Sequence, residues 1–173
     1  MTTSCDVFDL HSGRPAGGGL DPAQVVAAPW RSFGGQAAIA GPVATVRCFH
    51  DNTFVRKVLS TPGRGRILVV DGAGSLSHAL MGDAVGSLAL ENGWAGVVAH
   101  GAVRDSAALE RLDLGVFALG TVPRPSRKEG FGAAGVVLDI CGARIAPGDL
   151  LVADADGIVA VSGATKDLPH RAP

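Results

Sequence analysis

The 173-residue sequence predicts a single domain with a mixed α/β sandwich fold, and three features lead to this class. Apolar runs of strand length alternate with helical segments through the middle of the chain. From Val136 onward only short strands follow. The 25 glycines suit many tight turns between short strands. Alternating strands and helices followed by a run of strands are typical of a mixed α/β sandwich and not of a Rossmann or barrel fold.

The chain is divided into three parts on this basis. Residues 1–30 are predicted to form an N-terminal arm with short helices. Residues 31–162 are predicted to form the α/β domain, and residues 163–173 a polar C-terminal tail. No second domain, linker or internal repeat is expected.

The first elements follow from capping residues and alternation. Thr3 is a candidate cap for one short helix, and Asp21-Pro22 is a suitable cap and first-turn pair for another. Residues 38–49 (AIAGPVATVRCF) have the alternation and β-branched content of a strand. Asp51 then caps a predicted helix over residues 52–59.

The middle of the chain carries the predicted strand–helix alternation. Residues 66–71 (RILVVD) form a continuous apolar run, which suits a strand buried on both faces. A helix is predicted over residues 83–92 and a buried strand over 95–99. A second helix is expected from Arg104 to about residue 112, before a short strand over 116–120. The last predicted strands are the segments VVLDIC, ARIA, LLVAD and GIVAV.

Composition excludes several classes of function. The net charge of −1 argues against nucleic acid as a direct partner, because phosphate binding requires a basic surface. The apolar stretches are too short to span a membrane. Residues 1–10 lack the features of a secretory signal, and the three cysteines form no C-x-x-C pair. We therefore expect a cytoplasmic protein without a disulfide framework.

The turn at Gly82-Asp83-Ala84-Val85 is the first candidate binding element. Backbone N–H groups at the start of a helix lack intrahelical partners and attract a carboxylate. Gly82 would allow a ligand to come close to the main chain. The structural alternative is that Asp83 is only a helix cap.

Arg104 and Asp105 form the second candidate element, and twenty residues lie between Asp83 and Arg104. A guanidinium can bind a carboxylate with two parallel hydrogen bonds, and Asp105 would bind a divalent cation directly. Mg²⁺ commonly takes one or two protein carboxylates and keeps several waters. The alternative is a surface pair in which Asp105 or Ser106 caps the next helix. Neighbouring strands of an α/β sheet end at a shared crevice, so the two turns together favour one site.

Other motifs are weaker. Asp71-Gly72-Ala73-Gly74 follows a strand as a dinucleotide-binding loop would, but Ser77 stands at the third glycine position. The five histidines show no metal-binding spacing, and His100 is interpreted as a hydrogen-bonded turn residue, with a position bordering the pocket as the alternative. The basic segment 124–130 is interpreted as a solvated loop, with an acid-recruiting lid or an RNA contact as alternatives.

Six segments make the chain resemble the RraA-like family, which includes regulators of ribonuclease activity and class II 4-hydroxy-4-methyl-2-oxoglutarate aldolases. The resemblance covers nearly the whole chain after residue 30. The segments are Phe33-Gly34-Gly35, GPVATVRCFHDN (41–52), GRILVVDGAGS (65–75), MGDAVGSLALENGWAGVVAHGAVRD (81–105), LDLGVFALGTVPR (112–124) and PGDLLVADADGIVAV (147–161).

The resemblance implies a fold, an assembly and an activity. The fold would be an α-β-β-α sandwich of the swivelling phosphohistidine-domain type, assembled as a ring-shaped homotrimer or a dimer of trimers. The activity would be metal-dependent cleavage of 4-hydroxy-4-methyl-2-oxoglutarate to pyruvate, with decarboxylation of oxaloacetate through the same pyruvate enolate. The cofactor would be Mg²⁺ or Mn²⁺, and the substrate a small keto acid.

The resemblance also implies roles for individual residues. The main-chain turn Gly82, Asp83, Ala84 and Val85 would bind the keto acid, and Arg104 would bind its carboxylate. Asp105 would bind the metal, and Asp83 would hold a metal-bound water. Asp83 and Arg104 are thus the expected catalytic residues. Longer aldolase members carry an additional C-terminal region that reaches a neighbouring subunit, whereas residues 163–173 form a short polar tail.

The family also allows a second function of a different class. Such a protein would bind a ribonuclease, inhibit RNA processing of the ribonuclease E type, and perform no catalysis. The pair of carboxylates with an arginine favours the enzyme, because a protein-binding surface has no need of that combination. An older designation, a methyltransferase of menaquinone synthesis, is not supported, because the glycine loop is poor for a nucleotide-like cofactor.

Overall fold

The structure is a computed structural model that describes residues 2–13 and 22–163. The chain folds as one mixed α/β domain. Its four helices are α1 (Ser4–His11), α2 (Thr53–Leu59), α3 (Asp83–Glu91) and α4 (Ser106–Leu109). Its strands are β1 (Ala23–Val25), β2 (Arg31–Ser32), β3 (Ile39–Arg47), β4 (Ile67–Asp71), β5 (Ala79–Met81), β6 (Gly96–Val103), β7 (Gly115–Thr121), β8 (Ala133–Ala134), β9 (Leu138–Ile140), β10 (Ala143–Ile145), β11 (Leu150–Ala153) and β12 (Ile158–Val161).

Ten of these strands form one sheet in the order β1-β12-β11-β3-β4-β6-β7-β2. The short strand β5 pairs with β6, and the short strand β8 pairs with β3. Strands β9 and β10 form a separate two-stranded sheet. The strands β3, β4, β6 and β7 run parallel to one another, and β5 runs parallel to β6. The carboxyl ends of β5 and β6 therefore lie side by side. The candidate residues Gly82 and Asp83 follow β5, and Arg104 and Asp105 follow β6.

Strand β4 shows why the centre of this sheet is buried on both faces. Leu68 and Val70 point into a cluster that includes residues of α2 and α3, whereas Ile67 and Val69 point into a cluster with β9, β10, β11 and β12. A third cluster joins Val7 of α1 to strands β11 and β12. Helices thus pack on both outer surfaces of the domain. The continuous apolar run over residues 66–71 predicted this burial correctly.

Most predicted elements are confirmed, with shifts at their ends. Thr3 caps α1 through a capping box with Asp6. The Asp51 carboxylate accepts a hydrogen bond from the Thr53 amide at 2.8 Å, although α2 begins one residue later than predicted. The helix after Asp105 is shorter than predicted and ends at Leu109.

One predicted helix was wrong, and three short strands, β2, β5 and β8, were not predicted. Residues Ala23–Val25, where a second short helix was expected, form β1 and pair with β12, because this pairing satisfies the backbone hydrogen-bonding groups of both strands. Asp21, its expected cap, lies outside the described residues, as do most of the loop before it and residues 164–173 of the tail. The strand β5 was missed because three apolar residues carry too little periodicity.

No helix in residues 2–13 or 22–163 has the length and apolar character needed to cross a membrane. The specific likeness to swivelling phosphohistidine domains stays a prediction.

Candidate active site

The candidate site forms where β5 and β6 end next to each other. Met81 of β5 is in register with Val103 of β6, and the Arg104 amide donates to the Met81 carbonyl at 2.9 Å. Gly82 then leads into α3, which begins at Asp83, while Asp105 leads into α4. The short strand β5 therefore brings the two predicted turns together.

Gly82 contacts both members of the arginine–aspartate pair. A Cβ atom on Gly82 would overlap the Asp105 Oδ2 atom and would lie 2.8 Å from Cγ of Arg104. No other side chain fits at this position without displacing them, since real Cβ atoms do not approach so closely. The backbone at residue 82 is extended, so the glycine is required by space and not by a left-handed conformation.

Asp105 adopts a left-handed backbone conformation, with φ of 55° and ψ of 39°. Such a conformation is uncommon for residues other than glycine, although aspartate tolerates it better than most. It turns the chain sharply between β6 and α4 and directs the Asp105 side chain toward Gly82. Unfavourable backbone conformations of this kind occur often at functional sites.

The side chains of Arg104 and Asp105 pair with each other. Nε of Arg104 donates to Oδ2 of Asp105 at 3.1 Å, and the two side chains are 37% and 34% exposed. A ligand can therefore reach both side chains from solvent. The interaction uses Nε of Arg104, and among the described residues no hydrogen bond is formed by its two terminal nitrogens.

The start of α3 contributes main-chain and carboxylate groups. The Asp83 side chain is exposed, and its Oδ1 accepts a hydrogen bond from the Ala84 amide at 2.7 Å. The amides of Val85 and Gly86 donate to the Gly82 carbonyl. The Val85 side chain is buried in the core, so Val85 offers a ligand only its main chain. Asp83 is thus placed at the helix start as predicted, and its ligand-binding role stays a prediction.

This corner is open to solvent in a single chain. The two cavities described for the domain, of about 430 and 600 Å³, are lined by other residues. Within residues 2–13 and 22–163, no three His, Cys, Asp or Glu side chains surround a common point. Any cation at Asp105 would therefore keep several waters, which is the normal coordination of Mg²⁺ in proteins. The oxygen-only donors of the corner also suit a hard cation.

Two other predicted motifs have structural roles. The glycine loop after Asp71 leads into β5 and not into a helix, so it lacks the helix start that binds a nucleotide phosphate. A Cβ atom on Gly72 would contact the Leu80 side chain and the His100 carbonyl, which explains this glycine by packing. His100 pairs with Asp71 through Nδ1 at 3.4 Å, and this hydrogen bond lowers the pKa of the Asp71 carboxyl group.

The fold and this corner define a mixed α/β domain that presents an arginine, two carboxylates and a glycine at adjoining strand ends. Residues 4–160 match the sequence model of the RraA-like family, described as Aldolase/RraA. The chain therefore belongs to the RraA-like family.

Three relatives illustrate the range of names within this family. A Burkholderia mallei (strain SAVP1) protein, provisionally named 4-hydroxy-4-methyl-2-oxoglutarate aldolase, is 47% identical over 159 residues, which cover 92% of this chain and 94% of that protein. A Geobacillus kaustophilus HTA426 structure, described as an S-adenosylmethionine:2-dimethylmenaquinone methyltransferase, is 45% identical with a TM-score of 0.85 and coverages of 92% and 94%. The RNA-processing inhibitor RraA from Thermus thermophilus is 42% identical, also with a TM-score of 0.85, and the match covers 93% of each chain.

Proposed function

We propose that this protein is a divalent-metal-dependent lyase that cleaves 4-hydroxy-4-methyl-2-oxoglutarate into two molecules of pyruvate. We also propose that it decarboxylates oxaloacetate to pyruvate and carbon dioxide. The contact of Gly82 with Arg104 and Asp105 carries the proposal, because it brings a guanidinium and a carboxylate together beside one helix start. The name of the B. mallei relative supports the same substrate.

Both reactions require the same stabilisation. Breaking the carbon–carbon bond leaves an electron pair that is delocalised onto the keto oxygen as the enolate of pyruvate. Asp105 is the residue that would hold Mg²⁺ or Mn²⁺, with Asp83 holding a water of that ion. When bound, the cation supplies Lewis-acid stabilisation of the negative charge that develops on the keto oxygen.

Arg104 would bind and orient the substrate. Its Nε donates to Asp105, which fixes the plane of the guanidinium and leaves the terminal nitrogens for a ligand. Two parallel hydrogen bonds to a carboxylate set its orientation as well as its affinity. The fixed positive charge also favours the transition state, in which negative charge increases near the keto acid.

Asp83 would move the proton in the aldol cleavage. The C4 hydroxyl must lose its proton as the C3–C4 bond breaks, and the electron pair of that bond becomes the enolate. The Asp83 carboxylate accepts a hydrogen bond from the Ala84 amide through Oδ1, so Oδ2 is the atom available to a water that takes this proton. The C3 carbon of the enolate then receives a proton to give pyruvate.

The lysines do not suggest the alternative chemistry of a Schiff base. Among the described residues, Lys57 lies exposed on α2 with its ammonium group over the Phe54 ring, and Lys128 is exposed in a loop. Neither is buried in the apolar environment that a Schiff-base lysine requires. Lys166 lies outside the described residues.

Pyruvate release by the purified protein tests the proposal. We expect turnover of 4-hydroxy-4-methyl-2-oxoglutarate and oxaloacetate that is lost with a chelator and restored by Mg²⁺ or Mn²⁺. Asp105→Ala should lower kcat/KM by about a hundredfold or more, because the cation loses its protein ligand. Asp139→Ala, which removes an aspartate of a similar ion pair elsewhere, serves as control. Turnover unaffected by chelator, or equal in the two variants, would reject the metal role.

A homotrimer is the assembly that we propose with this activity. The corner is exposed in one chain, and a neighbouring subunit packed beside it would exclude water from the reacting groups. Light scattering after size exclusion should give three times the mass of the chain, 17.4 kDa, or six times for a dimer of trimers. A monomer of full activity would contradict this arrangement.

A ribonuclease regulator is the second candidate, because the T. thermophilus relative is described as an RNA-processing inhibitor. In that role the chain would bind a ribonuclease of the E type through its outer surface. Binding should then survive Asp105→Ala unchanged, whereas pyruvate release is lost. Co-purification with a ribonuclease and an RNA-cleavage assay, each with the wild-type chain and with Asp105→Ala, separate the two functions.

A further inference from the structure

A second cluster of polar groups lies at the opposite end of β5 from the candidate active site. Nε2 of His50 is 2.8 Å from the hydroxyl oxygen of Ser75 and 2.8 Å from that of Ser77. The two hydroxyl oxygens are 2.9 Å apart, and Nδ1 of His78 lies 3.3 Å from the Ser77 oxygen. Two imidazoles and two hydroxyls therefore form one connected hydrogen-bonded cluster.

The backbone holds His50 in an unfavourable conformation at this cluster. Its φ is 56°, in the left-handed region that residues other than glycine rarely adopt. The His50 carbonyl accepts a hydrogen bond from the Arg127 amide at 2.7 Å, and the His50 ring stacks on Phe49 with centroids 3.9 Å apart. The ring centroids of His50 and His78 are 4.2 Å apart. The surrounding structure thus fixes the imidazole of His50 in place.

The charges that act on the cluster are positive. The pKa of His78 is lowered by burial, which disfavours the charged imidazole. The neighbouring groups His50, Arg124 and Arg127 lower it further by electrostatic repulsion. The main chain of Arg124 is anchored to β5, since its carbonyl accepts the Ala79 amide at 2.8 Å. Among the described residues, the Arg124 guanidinium forms no ion pair.

The nearest acidic groups are already occupied. The Asp51 carboxylate follows His50 in sequence, but it accepts hydrogen bonds from the amides of Thr53, Glu129 and Phe131. The Glu129 carboxylate lies 3.8 Å from the guanidinium of Arg127, a distance typical of a weak surface pair. The cluster thus presents donors and positive charge without a carboxylate directed into it.

We propose that this cluster is a binding site for a compact oxyanion with two negative charges, of the phosphate or sulfate class. The hydroxyls and imidazoles would donate to its oxygens, and the arginines would supply charge, which is the combination that phosphate groups select. The residues of the site are His50, Ser75, Ser77, His78, Arg124 and Arg127.

The site is distinct from the keto-acid corner. His78 precedes β5 and Gly82 follows it, and the four residue steps of extended strand between them span roughly 13 Å. A small keto acid does not span this distance. A metal site is a poorer interpretation of the cluster, because two imidazoles beside two arginines lack the carboxylate or further imidazoles that a cation requires.

Calorimetric titration of the whole chain with inorganic phosphate and sulfate, at constant ionic strength in chloride, tests the proposal. We expect one saturable site per chain, and perturbed imidazole resonances of His50 and His78 in NMR spectra. Arg124→Gln and His50→Gln should each weaken binding by about ten- to a hundredfold, since a hydrogen bond to a charged group contributes roughly 1.5–3 kcal/mol and 1.4 kcal/mol is about a factor of ten. Arg56→Gln removes an equal charge from the exposed face of α2 and should leave the affinity unchanged.

Three further measurements complete the test. Sulfate binding should tighten as the pH falls from 7.5 to 5.5, because sulfate keeps both of its charges in this range and favours protonated imidazoles, whereas phosphate loses its second charge. If phenyl phosphate binds as tightly as inorganic phosphate, the natural ligand is a phosphate ester. If only the inorganic ion binds, the natural ligand is the free oxyanion. Circular dichroism of each variant confirms folding. Absence of saturable binding, or equal weakening by Arg56→Gln, would overturn the proposal, and neither result bears on pyruvate release.

Discussion

Two arginine–aspartate pairs of this protein have the same length and different surroundings. The Arg104–Asp105 pair at the end of β6 and the Arg144–Asp139 pair of the β9–β10 hairpin each join a nitrogen and an oxygen at 3.1 Å. Arg144 and Asp139 are direct cross-strand neighbours, with side chains 55% and 67% exposed. Their pairing follows from strand register alone.

The pair at β6 differs in its backbone. Asp105 has a left-handed conformation, and Gly82 approaches its carboxylate so closely that no side chain fits between them. The start of α3 lies at the same corner. The comparison shows that an ion pair by itself does not indicate function. The convergence of strained backbone, a spatially required glycine and a helix start distinguishes the candidate site from a surface pair.

Gly82→Ala is expected to have the largest effect on activity among the variants that test the difference between the two ion pairs. The added methyl group must displace the Asp105 carboxylate and Cγ of Arg104, and a displacement of about 1 Å at a catalytic group can lower a rate by about a hundredfold. We expect pyruvate release to fall by that order while the protein remains folded. The measurement is kcat/KM together with Tm.

Gly120→Ala is the matched control for Gly82→Ala. Gly120 lies in β7, and a Cβ there would make only ordinary contacts, at 3.6 Å and beyond, with Leu76. Activity should therefore be unchanged, and Tm should be equal or higher because alanine favours a strand over glycine. Equal activity in the two variants would mean that the corner is not the catalytic site.

A smaller effect is expected from Arg104→Lys. Lysine keeps the positive charge but loses the planar fork, so it cannot make two parallel hydrogen bonds to a carboxylate. We expect kcat/KM for the keto acid to fall about tenfold, mainly through KM, since substrate binding and orientation are affected. Arg144→Lys in the hairpin should leave both constants as in the wild type. An unchanged KM in Arg104→Lys would remove this residue from substrate binding.

The smallest effect concerns the hairpin pair itself. A double-mutant cycle with Asp139→Asn and Arg144→Gln should give a coupling free energy of about 0.2–1 kcal/mol, measured by urea unfolding. Higher salt should reduce this value, because exposed charges are screened. A coupling free energy well above that range would mean that the hairpin pair stabilises the fold. The two pairs would then differ less than their backbone conformations indicate.

Much of the fold could be predicted from local sequence. The run over residues 66–71 predicted a strand buried on both faces, and Thr3 and Asp51 predicted the starts of α1 and α2. These predictions succeed because apolar periodicity and capping act between residues close in sequence. The predicted helix after Asp21-Pro22 failed for the opposite reason. Pairing of Ala23–Val25 with the distant strand β12 outweighed a local helix signal.

The candidate site was predicted only in part. The sequence placed Asp83 and Arg104 after neighbouring strands, but it assigned no strand to residues 79–81, which bring Gly82 beside Asp105. The closeness of His50 to His78 had no signal at all, because 27 residues lie between them and each falls in a turn. Contacts across such separations depend on how strands align, and no short pattern encodes that alignment.

By itself, the sequence determined the buried strands, the capped helices and the residue types of the corner, since each of these depends on the chemistry of a few adjacent residues. The tertiary structure alone decided that Gly82 lies against Asp105, that Asp105 adopts a left-handed conformation, and that two histidines meet at the other end of β5. These features arise from pairing of β5 with β6, where the gain from long-range hydrogen bonds and packing outweighs local backbone preference.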